Sequence, residues 1–305
     1  MIKGVVFALT SYAVFSFADA ALKAAGGRLH VAEMTLIITI FSCVPVLFAK
    51  PRTEHWGDMM RMHRPALVML RLAAALAAGL FSAYAFTTLP LADAYALIFL
   101  LPIFVVAFSF FYLGERTTPA RLVGLFVGLV GVILVVKPGF QQLMLGHAAA
   151  IATAIAGTVS LLTLRVISRT ERQVTLIGTL MIGSLALNGA ITLFVYETPT
   201  MREVMLLALC GVLAGLGHLT MMAATRHAEA NRIGPTQYSQ IVWAVVLGGF
   251  FFDEYPDAIS MGGIALVVLS GFLNFLGVRG PKTTRRSVTV EPVSAAAAAP
   301  RHPGS

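Results

Sequence analysis

Charge is what this sequence has least of. Only 12% of its 305 residues are charged, 58% are hydrophobic and the mean hydropathy is +0.84. A water-soluble domain needs polar residues over its whole outside, so that class is excluded. Cysteine is almost absent. Cys43 and Cys210 both lie inside apolar runs, which rules out a disulfide framework and a cysteine-built zinc cluster. Each is expected to pack as a small core hydrophobe. The seven histidines are scattered, with no H-E-x-x-H pattern, so an integral-membrane enzyme of that kind lacks its clustered groups. No G-x-x-x-x-G-K-[ST] loop is present for nucleotide hydrolysis, and no ring of charge marks a channel constriction. No cofactor or metal is expected.

What is there is a series of apolar runs with short polar breaks. They fall at 2–22, 33–48, 66–87, 92–113, 119–136, 146–166, 174–196, 205–225, 233–252 and 259–278. Each suits a membrane-crossing helix of about 20 residues. The first run exceeds a signal-peptide core, despite Ala18-Asp19-Ala20 resembling a cleavage site, and is expected to be a retained helix. The formal charge of +8 follows topology rather than nucleic acid, which is not an expected partner. With the N-terminus in the cytoplasm, the outer loops hold only Lys23, Arg28, Lys137 and Arg202; every other lysine and arginine falls inside. An even count of ten spans, with both termini cytoplasmic, satisfies that rule. Thr118 and Asp257 stand where helix caps belong, ahead of the fifth and tenth spans. Residues 281–305, rich in Lys/Arg, Pro and Ala, read as a disordered cytoplasmic tail near anionic lipid headgroups.

The chain repeats itself. Leu91–Glu115 falls on Ala230–Glu254 without a gap, so Phe99 meets Tyr238, Pro102 meets Ile241 and Glu115 meets Glu254. Gly4–Ala8 falls on Gly146–Ala150, with Lys23 against Arg165. Five spans per half is an odd number, so the second half enters the membrane from the opposite side. The fold class expected is therefore all-α integral membrane, ten helices as two inverted five-helix repeats over 1–139 and 140–280. Secondary transporters use this build, with the substrate site near the midplane between the repeats.

With LPLADAYALIFLLPIFV and LGER in the fourth span, GLFVGLVGVILVVKPG in the fifth and the partner segment ending FFDEY, the chain resembles the ten-helix, two-EamA-domain branch of the drug/metabolite transporter superfamily. The resemblance implies a bacterial inner-membrane, multi-pass carrier of small organic metabolites, often amino-acid-like and commonly moved outward. It implies a cavity lined by helices 1, 3, 4, 6, 8 and 9. This sequence departs from symmetry at Pro102, opposite Ile241, and at Asp253-Glu254, where Gly-Glu is the pattern.

Polar and aromatic residues inside the spans are the candidate substrate-binding groups, because a buried polar atom costs energy unless it has a task or a partner. Asp19 offers a carboxylate to an amine or a proton; its plain alternative is an i,i+4 pair with Lys23. His218 is a proton-exchanging group or a hydrogen-bonded core histidine. The ninth span is the most polar, and there Gln237, Tyr238, Gln240 and Trp243 join amide hydrogen bonding to ring stacking. Tyr95 and Phe99 on the fourth span face the same cavity, with Tyr84 and Phe81 on the third next in line. Asn188 is expected to serve packing, and Glu115 and Glu254 a structural or gating purpose. Expected partners are a small-molecule substrate and membrane lipid, with proton coupling and uniport both open as cycles. An uptake carrier for a vitamin or nucleoside-like metabolite uses the same scaffold.

Overall fold

The computed structural model describes residues 2–47, 54–113, 119–137, 144–168, 170–227 and 234–276. Among the described residues every element is helical, in the order α1 (Ile2–Ala25), α2 (Val31–Leu47), α3 (Pro65–Thr88), α4 (Leu91–Ile98), α5 (Leu101–Leu113), α6 (Pro119–Val136), α7 (Leu145–Ile167), α8 (Gln173–Val195), α9 (Met201–His227), α10 (Ser239–Phe252) and α11 (Ala258–Leu276). One-turn 3-10 segments sit at Trp56–Asp58 and Gly234–Tyr238. Glu115, Thr118 and the tail lie outside the described residues.

Hydrophobic residues are turned outward on a scale no aqueous surface tolerates. Phe194 is 89% and Phe250 80% exposed, while Ser11, Thr158 and Asn188 are fully buried. Five helices (α1, α3, α8, α9 and most of α7) are long and apolar enough to cross a bilayer, and shorter apolar helices lie between them. This is a multi-pass membrane protein. Polar side chains inside it work as local glue. Ser11 donates to the Gly217 carbonyl at 2.7 Å, joining α1 to α9. Thr39 and Ser184 share a 2.9 Å bond between α2 and α8, and Asn188 bonds Ser184 within its own helix.

Packing partners recur with the halves exchanged. Helix α1 runs along α9 as α7 runs along α3; α2 lies on α9 as α8 lies on α3; α4 and α5 lean on α7 as α10 leans on α1. Three pairings join equivalent helices, α2 with α8, α4 with α10 and α6 with α11. At the last of these a Cβ added to Gly131 would lie 2.7 Å from the Gly263 carbonyl oxygen. One on Gly263 would lie 2.6 Å from that of Gly131. The two backbones meet at glycine because nothing larger fits.

The fourth and ninth expected spans are not single helices. The fourth breaks at Phe99–Leu100 into α4 and α5, which moves Pro102 from mid-helix to the first turn of α5, where a missing N–H costs nothing. The ninth opens with the 3-10 turn before α10. Phe99 and Tyr238, paired by the repeat, both stand at these breaks. The other helices keep their expected positions to within four residues.

Candidate functional site

Three of the residues singled out by sequence meet at one point. The Tyr95 hydroxyl donates to Asp19 Oδ2, and Gln240 Nε2 donates to Tyr95 Oη at a long 3.4 Å. These groups come from α1, α4 and α10, so both halves of the chain contribute. Tyr95 is 3% and Gln240 8% exposed. No basic side chain pairs with Asp19 among the described residues. Lys23, its i,i+4 neighbour, turns the other way.

A file of rings continues from this hydrogen-bonded set. Phe86 packs on Tyr95 (centroids 5.1 Å apart), Tyr95 on Phe99 (5.7 Å), Phe99 edge-on to Tyr238 (5.5 Å) and Tyr238 on Phe272 (6.1 Å). Trp243 stacks obliquely on Phe17 at 5.8 Å, two residues before Asp19. Each such pair adds about 0.5–1.5 kcal/mol beyond its area. The helix breaks at Phe99 and Tyr238 free the chain to bring both rings together. Here a carboxylate, a phenol and an amide are set in an aromatic wall, the donor and acceptor mix an amphipathic molecule needs.

The remaining candidates lie elsewhere. Tyr84 lines an open apolar groove of about 490 Å³ with Phe81, Leu80, Val31 and Ala149, between α3 and α7. His218 presents its ring to Phe15, centroids 5.0 Å apart, outside the hydrogen-bonded set. Gln237 is half-buried in the 3-10 turn. Cys210 is buried in the main apolar core.

The expected Asp19–Lys23 pair does not form. Lys23 Nζ reaches Glu254 Oε1 at 2.7 Å and donates to the Leu89 carbonyl at 2.5 Å. The Leu91 N–H donates to Glu254 Oε2 at 3.2 Å, and the ammonium lies 5.3 Å from the Phe252 ring centroid. Sequence offered no basic neighbour for Glu254, because its partner is contributed by the other half. Three more ion pairs lie at the same end. Arg28 holds Glu203 at 2.6 Å and Glu197 at 3.2 Å, and Lys137 holds Asp257. The Lys137 ammonium, then the Ser260 N–H, hold the Asp257 carboxyl down at about 2. The stability this carboxylate contributes is present above the ordinary carboxylate range and is lost only as pH falls through about 2. Asp257 also caps α11 as expected, accepting from the Ser260 N–H at 2.9 Å.

The opposite end is tied differently. Glu54 accepts the Gln173 and Val174 N–H groups at the start of α8, Asp58 pairs with Arg172 at 2.6 Å, and Glu171 accepts the Arg64 N–H at 2.6 Å. Burial pushes the Glu171 carboxyl up, but hydrogen bonds from Arg64 and His63 outweigh it and leave it below its ordinary value.

The model of the EamA-like transporter family matches residues 2–137 and again 143–276. The chain belongs to the EamA-like transporter family. It is 28% identical over 276 residues to the pseudopaline exporter CntI of Pseudomonas aeruginosa, covering 88% of this chain and 94% of that protein. It is 25% identical over 278 residues to the S-adenosylmethionine uptake transporter of Rickettsia bellii, covering 87% and 90%. A solved crystal structure 19% identical superposes with a TM-score of 0.64 over 90% of this chain and 97% of that one, which gives the fold. This EamA-like protein is a membrane transporter for a small metabolite and not an enzyme.

Proposed function

We propose that this chain is a secondary transporter of the bacterial inner membrane that exports a small, amphipathic, amino-acid-like metabolite by alternating access. Its ten spans form two inverted five-helix repeats, over 1–139 and 140–280, with both termini cytoplasmic. The observation that carries the reading is the Asp19–Tyr95–Gln240 set, built from both halves beside the helix breaks at Phe99 and Tyr238. Half-spanning helices that meet at a polar midplane site are how such carriers hold cargo. Packing partners that recur with the halves exchanged support the inverted relation. So does the sorting of connections, with 26–30, 89–90, 196–200 and 253–257 joined at one end and 54–64 with 170–172 at the other.

Asp19 receives the amine of the cargo, and a proton when the cargo is absent, which couples transport to the proton gradient. An ionised carboxylate at that depth costs about 2.5–3.5 kcal/mol without a partner, and Tyr95 alone does not neutralise it. Tyr95, Phe99, Tyr238 and Trp243 supply the apolar and stacking surface, with Gln240 fixing orientation and Gln237 at its edge. Tyr84 and His218 join only when the halves rearrange.

Uptake is the second reading, favoured by the Rickettsia relatives named as uptake transporters. Metabolite profiling of medium and cells, with the chain overproduced and deleted, separates the two. Export predicts a compound that accumulates in the medium on overproduction and inside cells on deletion. A compound depleted from the medium on overproduction reverses the direction.

A further inference from the structure

The ion pairs at one end share a pattern. Lys23, Arg28 and Lys137 come from the first half; Glu254, Glu197, Glu203 and Asp257 come from the second. Every pair crosses between the halves, with the cation always from the first. Lys23–Glu254 is the most enclosed, its side chains 11% and 25% exposed. It also ties three connections at once: the end of α1, the α3–α4 link through Leu89 and Leu91, and the turn after α10. That turn is made by Asp253 in the left-handed conformation (φ 56°), with the Glu254 N–H returning to the Gly248 carbonyl at 3.0 Å. It aims Glu254 back at α1.

The lock stands directly over the candidate site. Asp19 is four residues from Lys23 along α1, and Tyr95 four from Leu91 along α4, a rise of about 6 Å in each case. A molecule leaving the Asp19–Tyr95–Gln240 set toward this end must part α1 and α4 from the end of α10.

From this we infer that Lys23 and Glu254 form the gate at this end of the transporter, with Arg28–Glu203 and Lys137–Asp257 as flanking clasps. The two are positioning residues: they set which side the site opens to and do not hold the cargo. The inference rests on the alternating-access reading and deepens it.

The test reads conformation without needing the cargo. Spin labels are placed at Gly27→Cys and Ala258→Cys, exposed positions in the two halves at this end, in full-length protein carrying Cys43→Ser and Cys210→Ala. Distances are measured by double electron–electron resonance in lipid nanodiscs. Wild-type lock residues should give one short, narrow distance. Lys23→Glu, Glu254→Lys and the milder Glu254→Gln should each shift the population to longer distances. The Lys23→Glu/Glu254→Lys double variant should restore the short one, which a generally destabilised fold would not do. An unchanged distribution in Glu254→Gln and both reversals, or single-variant shifts that the double swap leaves uncorrected, overturns the gate. Failure of metabolite profiling to find any transported compound, with the distance shifts intact, would instead remove the transport reading.

Discussion

At the residue scale, the Tyr95 phenol does two jobs that phenylalanine cannot. It donates to Asp19 and accepts from Gln240, so Tyr95→Phe keeps the ring file and leaves two polar groups without a partner. Stranding a buried group costs about 1–3 kcal/mol. Transport should therefore fall at least tenfold while membrane insertion, followed by yield and gel-filtration profile, stays normal. Adding Asp19→Asn to Tyr95→Phe should cost less than the sum of the two single changes, because the bond they share is lost once. Gln240→Ala and Trp243→Ala should likewise abolish transport in proteoliposomes without loss of insertion; full activity in both would remove α10 from the site. Asp253 makes a separate prediction. Its left-handed backbone is where the family pattern has glycine, which adopts that conformation without a Cβ penalty. Asp253→Gly should raise thermal stability in detergent by about 0.5–1 kcal/mol, and Asp253→Val should lower it.

At the element scale, apolar run length fixed where helices lie, and little else was needed: a stretch of about 20 apolar residues has one low-energy form in lipid. The sequence also marked Pro102 as a point where the repeat loses its symmetry. It did not show that the span breaks, three residues earlier, since that depends on how Phe99 meets Tyr238 from the other half. Asp19, Tyr95 and Gln240 were legible one by one as polar groups inside spans. Their meeting was not, because helical periodicity gives a residue's face and not which distant helix that face touches. The Asp19–Lys23 expectation failed for a related reason. A local i,i+4 pair is worth only about 0.2–0.5 kcal/mol, and a long lysine stem at a helix end reaches past it to a better acceptor. The α6–α11 contact carries its own test. Gly131→Leu would drive a side chain into the Gly263 carbonyl and the Val267 backbone. It should lower folded yield sharply, whereas the same change at Gly79, which has open space around it, should leave yield unaltered. Overpacking of this kind costs about 1–3 kcal/mol or more.

At the scale of the whole molecule, the candidate site draws on both halves. The first half brings Asp19 and Tyr95, the second Gln240 and the Tyr238 ring, and packing joins them through α1 with α9 and α3 with α7. In the alternating-access cycle proposed above, parting the halves at one end while closing them at the other would expose the same groups to alternate sides without moving them far. Such a cycle is compatible with relatives named for both export and uptake.

The four cross-half ion pairs also bear on how the chain is made. Lys23, Arg28 and Lys137 emerge from the ribosome before any of Glu197, Glu203, Glu254 and Asp257 exists. In the orientation proposed above, the growing first half must push three cations across the bilayer against the positive-inside preference, with their counter-charges still to be synthesised. A nascent chain ending at Gly146 should therefore insert in mixed orientations. Reporter fusions at residues 27 and 137 would score a substantial inverted fraction. Extending the chain past Asp257 should bring that fraction down. The late acids would then act as retrospective proofreaders of a topology begun without them.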